Sequence, residues 1–413
     1  MTTDLTRNAG TDAAFTLCLN PLAEHDKPWT AEQDAILSDA GLALARETIS
    51  GWPGHAETPL HALPALAAKL GVAELRYKDE GSRFGLGSFK ALGGAYAVAR
   101  LLARKIGEAL GREVSMAEVT RVAHPEEAAK ITVCCATDGN HGRSVAWGAQ
   151  NFGCNCVIFI HATVSEGRKA AIEAYGAEVR RCAGNYDDSV REAQETATRE
   201  GWFVVSDTSY EGYMEIPKDV MQGYEVMAAE AYDALSEPPT HVFLQTGVGG
   251  MAAAVAAQAV RRWGAARPTI VLCDPDQSAC WLETMRAGTP TAVEGDLDTL
   301  MAGLACGEVS ALAWEILRDH GDAVMALTDA SAVAEMKRLA KPEGGDPAIV
   351  AGESAVAGIA GLAAAMSDEE ARTALGLDWS SRVLVFGTEG DTDAALYEEL
   401  VGMTAAEVRG EAA

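Results

Sequence analysis

An α/β architecture of parallel-rich sheets flanked by helices follows from three features of the 413-residue sequence. Short, nearly continuous apolar runs recur along it, Ala-rich segments with helical spacing lie between them, and most of the runs lead through a turn into such a segment. A strand apolar at every position is buried on both faces, which requires helical crossovers on either side of a parallel sheet.

The runs predict strands over 75–78, 131–135, 156–160, 202–205, 241–245, 269–273 and 382–386. Composition and capping residues predict helices over 91–105, 141–151, 166–175, 186–200, 217–235, 251–263, 331–339 and 354–366. The polar stretch 107–130 marks entry into a second domain, with no long Pro- or Ser-rich linker and no internal repeat. Length alone allows about two to three domains.

The formal net charge is −27 and the isoelectric point near 4.6. That balance argues against nucleic acid and against anionic membrane surfaces, both of which select clustered Lys and Arg. The N-terminus has no basic-then-apolar signal pattern and no apolar run approaches membrane-spanning length, so a cytoplasmic protein is expected. Nine cysteines occur without Cys-x-x-Cys spacing or a histidine cluster, which predicts reduced structural thiols and no metal site. Cys280 and Cys306 flank an irregular stretch and could approach one another, although a reducing compartment disfavours a disulfide.

Chemistry concentrates in three segments. In Gly85-Leu86-Gly87-Ser88-Phe89-Lys90-Ala91, a lysine lies between a glycine-rich turn and a helix start. Alone this reads as a surface lysine after a loop; desolvated, it becomes a Schiff-base nucleophile. The second segment, Ala136-Thr137-Asp138-Gly139-Asn140-His141-Gly142, follows a strand and opens a helix. Its glycines permit close approach of a ring and Asn140 can hydrogen-bond a phenolic oxygen, although Asp138 or Asn140 could also serve only as an N-cap. The third, Gln245-Thr246-Gly247-Val248-Gly249-Gly250-Met251, repeats strand, glycine loop and helix, and suits one phosphate. A Rossmann-type nucleotide site competes with that reading, but the spacing departs from the dinucleotide fingerprint.

Together the three segments resemble the fold-type-II, tryptophan-synthase-β-like, pyridoxal 5'-phosphate enzymes. The resemblance implies two domains: a large cofactor-binding domain of residues 1–104 and 217–413, and a small domain of residues 105–216. It further implies that Lys90, beside Phe89, holds pyridoxal phosphate as a Schiff base and that Asn140 binds its phenolic oxygen. Gly247, Val248, Gly249, Gly250 and Met251 would bind its phosphate. Thr388 would meet the pyridine nitrogen with a neutral hydroxyl, which favours elimination over transamination.

Over about residues 59–393 the closer resemblance is to the diaminopropionate ammonia-lyases. It is carried by the stretch from Lys78 to Lys90, by Thr137-Asp138-Gly139-Asn140-His141-Gly142-Arg143, and by Asn185-Tyr186-Asp187-Asp188. Asp207-Thr208 with Glu211-Gly212-Tyr213, the stretch from Met301 to Glu308, Gly352-Glu353-Ser354 and the stretch from Thr388 to Asp393 complete it. Tyr210 stands where that family often has Trp. The resemblance implies elimination of ammonia from 2,3-diaminopropionate by a homodimer. Lys90 and Asp138 would accept the α-proton of the L and D enantiomers, and Asp207 would bind the β-ammonium group.

Simpler readings accompany several residues. Asp187 and Asp188 suit a helix start, His141 a loop or helix-start hydrogen bond, Arg83 a nearby carboxylate or loop carbonyl, with the substrate carboxylate as its functional alternative, and Ser354 a helix cap. The competing functions are a related lyase acting on serine, threonine or 3-hydroxyaspartate, a catalytically silent cofactor-binding regulator, and a nicotinamide-dependent dehydrogenase.

Overall fold

A computed structural model describes residues 4–7, 14–137, 139–184 and 186–411. The chain divides into two compact units, one of residues 1–36, 57–82 and 228–413 and the other of residues 37–56 and 83–227. Twelve strands are named in chain order. They are β1 (Asp4–Arg7), β2 (Phe15–Leu19), β3 (Leu60–Ala62), β4 (Glu74–Asp79), β5 (Thr132–Ala136), β6 (Asn155–Ile160), β7 (Glu178–Arg181), β8 (Phe203–Val204), β9 (His241–Gln245), β10 (Thr269–Pro275), β11 (Ala323–Leu327) and β12 (Arg382–Gly387).

The first unit carries an eight-stranded sheet in the order β1-β2-β11-β10-β9-β12-β4-β3. Its interior is parallel: Val271 of β10 lies opposite Phe243 of β9, and Val385 of β12 opposite Phe243 on the other side. The strands β2 and β3 are antiparallel to their neighbours at the two ends. Phe243, Leu244, Leu272 and Phe386 are fully buried, the double-sided burial that their unbroken apolar runs require. The helix Ala357–Ser367 packs closely on this sheet because its contact residues are small. A Cβ at Gly358 would lie 2.7 Å from the Phe243 carbonyl oxygen, and one at Gly361 2.6 Å from Cys273 Sγ. The register places Gln245, Pro275 and Gly387, the carboxyl ends of β9, β10 and β12, along one edge, where ligands of parallel sheets bind.

The second unit is built on a wholly parallel four-stranded sheet in the order β7-β6-β5-β8. Two of its helices, Ala91–Leu110 and Asn140–Phe152, meet through small residues. A Cβ at Gly148 would be 2.8 Å from Ala95 Cα, and one at Gly94 2.0 Å from Ser144 Oγ. This helix pair groups residues 83–104 with the second unit, whereas the sequence reading counted them with the larger domain.

All nine cysteines are free thiols, including buried Cys280 and half-buried Cys306. No helix among the described residues is long and apolar enough to cross a membrane. No group of three or more His, Cys, Asp or Glu side chains among the described residues is arranged to hold a metal ion.

Candidate active site

In the second unit the glycine-rich turn ends at Lys90, where the helix Ala91–Leu110 begins. Gly85 and Gly87 adopt φ of 70° and 78°, a region that glycine enters without steric cost. Lys90 occupies the N-cap position but makes no side-chain cap hydrogen bond, so its amine is directed elsewhere. Nζ lies 2.6 Å from Asp207 Oδ2. It also lies 5.3 Å from the ring centroid of Phe89 and 5.9 Å from that of Tyr224. The Tyr224 ring reaches this position because Gly93 leaves room for it: a Cβ there would fall 2.4 Å from the ring. The two rings themselves are 4.6 Å apart. Lys90 therefore sits in a half-buried aromatic and anionic setting, not on an open surface.

Asp207 follows β8. Burial would raise the pKa of its carboxyl, but the charge of Lys90 and the hydrogen bond from it outweigh burial and hold the group well below the usual carboxylate range. His141 lies 3.9 Å away through Nδ1. Its Nε2 sits 2.8 Å from the Val205 carbonyl oxygen, which takes the ring proton and leaves Nδ1 as the lone-pair nitrogen. Nδ1 is buried without a hydrogen-bond partner among the described residues. Burial, aided by the charge of Lys90, lowers the His141 pKa and favours the neutral ring, although Asp207 opposes the shift. The loop hydrogen bond anticipated for His141 is thus present, and the ring also faces the Lys90–Asp207 pair.

Asn140 is the first residue of the helix Asn140–Phe152, whose N-cap is Gly139 with no side-chain cap; the N-cap reading of Asn140 does not hold. The turn before it is pinned by Thr137, whose Oγ1 accepts hydrogen bonds from the Gly139 and Gly142 amides at 3.1 and 3.3 Å. Asp138 and Asn185 lie outside the described residues. Arg83 is buried and donates to the Ala56 carbonyl at 2.9 Å, in keeping with the loop-carbonyl reading.

In the first unit β9 leads into the Gly247 to Met251 loop and the helix Gly250–Trp263. That helix starts at Gly249 with no side-chain cap, so its end is left for an external anion. Gly249 has φ of 98°, and a Cβ there would lie 2.2 Å from the Trp281 ring. Trp281 Nε1 donates to the Gly247 carbonyl at 3.0 Å. This turns the loop's carbonyl toward the protein, and glycine lets the backbone lie flat on the indole.

Gln245, at the end of β9, donates from Nε2 to the Phe386 carbonyl and to Thr388 Oγ1, each at 2.7 Å. Thr388 is buried, and its own hydroxyl hydrogen has no acceptor among the described residues. It is a neutral donor in waiting, as a pyridine nitrogen requires. Ser354 does not cap the helix Ala357–Ser367, whose N-cap is Val356. Its Oγ instead accepts from the Gly303 amide at 3.0 Å, while its amide donates to Glu389 Oε1 at 3.0 Å. These bonds tie the stretches at 301–308, 352–354 and 388–393 to one another.

The structure thus brings Lys90, Phe89, Asp207 and His141 together in one unit, and Gly247 to Met251 and Thr388 to neighbouring strand ends of the other. Tyr224, Asp274 and Trp281 support these groups and had no signal in local sequence, since each lies in or beside an apolar strand or helix pattern; Gln245 heads the third segment but was given no role of its own.

A lysine amine, an uncapped helix start framed by glycine and a buried hydroxyl with a spare hydrogen are the donors that a phosphorylated pyridine aldehyde needs. The chain belongs to the pyridoxal-phosphate dependent enzymes, whose family model matches residues 52–385. Within that family it is 41% identical over 382 residues to diaminopropionate ammonia-lyase of Escherichia coli (strain K12), an alignment spanning 91% of this chain and 95% of the relative. The holo crystal structure of the Escherichia coli diaminopropionate ammonia lyase superposes with a TM-score of 0.86 at 36% identity, covering 95% of this chain and 98% of that one. The same enzyme in complex with an aminoacrylate-PLP azomethine reaction intermediate matches with a TM-score of 0.83 at 37% identity, covering 94% and 96%.

Proposed function

We propose that this protein catalyses the α,β-elimination of 2,3-diaminopropionate to pyruvate and ammonia with pyridoxal phosphate as cofactor. The observation that carries the reading is the 2.6 Å pairing of Lys90 with Asp207, which puts a nucleophilic amine and an ionised carboxylate at one place. When bound, pyridoxal phosphate supplies the electron sink that stabilises a carbanion at the substrate α-carbon. Lys90 is the amine that bonds its aldehyde carbon. Gly247 to Met251 would hold the phosphate through backbone N–H groups, Asn140 would donate to the phenolic oxygen, and Thr388 would donate to the ring nitrogen.

Once the Lys90 amine is engaged, Asp207 loses its cationic partner and can receive another. An ammonium group on the substrate β-carbon suits it in charge. An amine departs readily only when protonated, so a carboxylate held in its ionised form keeps the β-nitrogen as ammonium. Lys90 would serve as the base for the α-proton of L substrates. Asp138 takes that role for D substrates, an assignment that rests on its sequence position.

The substrate is a small amino acid. A homodimer in the cytoplasm is part of the same reading, supported by the family resemblance.

The test is the Lys90→Ala variant. The wild type with pyridoxal phosphate should show the visible absorption band of a lysine-linked cofactor and release pyruvate from diaminopropionate; the variant should lose both. A variant that keeps band and turnover would overturn the assignment.

A further inference from the structure

Asp274 is a fully buried carboxylic acid at the end of β10, and the elimination chemistry does not use it. Its two oxygens hold two parts of the glycine cradle. Oδ1 accepts from Thr246 Oγ1 at 2.6 Å, directly before Gly247. Oδ2 accepts from the Trp281 amide at 3.0 Å, and the indole of the same Trp281 donates to the Gly247 carbonyl and lies against Gly249. One carboxyl group therefore fixes the loop from before it and from beneath it.

The Thr246 hydroxyl has a second acceptor within reach, the Cys273 carbonyl oxygen at 3.2 Å. Both protonation states of Asp274 are consequently satisfied by the same heavy atoms. Ionised, Asp274 accepts from Thr246. Neutral, its Oδ1–H donates to Thr246 Oγ1 and the threonine hydrogen turns to the Cys273 carbonyl. Oδ2 keeps the Trp281 amide in either state.

Among the described residues no cation neutralises this group. Thiols neighbour it, those of Cys273 and of Cys280, and burial pushes both far above their ordinary values. The adjacent strand β11 and the helix Ala357–Ser367 contribute no ionisable side chain. On β9 the only titratable residue is His241, at the opposite end and bonded to the Leu375 carbonyl. On the helix Cys280–Ala287, Glu283 and Arg286 pair with one another. Burial accordingly raises the Asp274 pKa to about 7, against the lowering effect of Thr246 and Trp281.

We propose that Asp274 is the positioning residue of the phosphate cradle and takes up one proton from solvent when a dianion binds there. The proposal rests on the phosphate role of Gly247 to Met251. A dianion in the cradle raises the cost of a second negative charge directly behind it, and the Thr246 hydroxyl switch supplies a neutral state at no cost in hydrogen bonds. Anion affinity therefore falls as pH rises through neutrality.

The experiment is calorimetric titration of the apoenzyme with sulfate, a dianion that carries no proton of its own near neutral pH, and in parallel with pyridoxal phosphate. For the wild type, sulfate affinity should weaken several-fold between about pH 7 and about pH 8.5, with proton uptake from the buffer. Asp274→Asn should bind sulfate with neither the pH slope nor the uptake. Thr246→Val, which strips the carboxylate of its hydroxyl donor and leaves it protonated, should lose the slope as well. A wild type with no proton uptake overturns the proposal, and so does a slope preserved in either variant that folds. Failure of the functional reading is separately visible, as absence of the visible band with pyridoxal phosphate in the wild type.

Discussion

Asp207 is held ionised by the cation of Lys90, which comes from a different segment of the chain, and it faces the lone-pair nitrogen of the neutral His141 ring 3.9 Å away. Lys90 was legible in the sequence only with the Asn140 and Gly247 to Met251 segments beside it, since a lysine between a glycine turn and a helix start reads alone as a surface residue. Asp207 entered through family resemblance, for an aspartate after a short strand has no signature of its own. Tyr224 and Trp281 were illegible: each acts only because a glycine far along the chain, Gly93 or Gly249, vacates the space its ring fills. The division of labour between bases gives a prediction at this scale. Asp138→Asn should lower turnover of D-diaminopropionate by about a hundredfold or more, the usual size of a general-base contribution, with much less effect on the L form. Steady-state kinetics on the two enantiomers measures it, and equal losses would remove Asp138 from the role.

At the scale of elements, the strand and helix pairs that carry the site were the most legible. The strand 241–245 and the helix 186–200 coincide with the observed limits, and the helix predicted over 251–263 begins one residue earlier, at Gly250. Five strands were not anticipated: β1, β2, β3, β7 and β11. The sequence of β11, Ala-Val-Met-Ala-Leu, has helix-forming residues, and tertiary pairing with β10 and β2 overrides them. The polar Glu-Val-Arg-Arg of β7 is an edge strand held from one side only. The cradle between β9 and its helix depends on one backbone conformation. Gly249→Ala should cost about 1–2 kcal/mol from the left-handed backbone alone, and more from displacement of the Trp281 ring. The measurable outcome is a lower melting temperature and at least a tenfold weaker hold on pyridoxal phosphate, against a wild-type control for both.

For the molecule as a whole, the charge of −27 left fold and chemistry undetermined and argued only against polyanionic partners. Stability at mildly acid pH depends on buried histidines. His320 is fully buried, stacked on Trp29 with centroids 5.8 Å apart, and 3.2 Å from Gln33 Oε1 through Nε2. Burial first, then the charge of Arg267, lowers its pKa to about 4. The unfolded chain takes up this proton near pH 6.5, so the contribution is complete above that pH and is lost as pH falls toward about 4. It is worth about 3 kcal/mol. Denaturant unfolding of the wild type and of His320→Gln across this window should show the wild type losing that much more stability than the variant; parallel curves would contradict it.

The elimination itself is tested most directly by product stoichiometry. Incubated with pyridoxal phosphate and each enantiomer of 2,3-diaminopropionate, the purified protein should release two ammonia per pyruvate, one from the β-carbon and one by hydrolysis of the remaining imine. Release of no pyruvate from either enantiomer, alongside turnover of serine or threonine with a single ammonia per keto acid, would contradict the assignment.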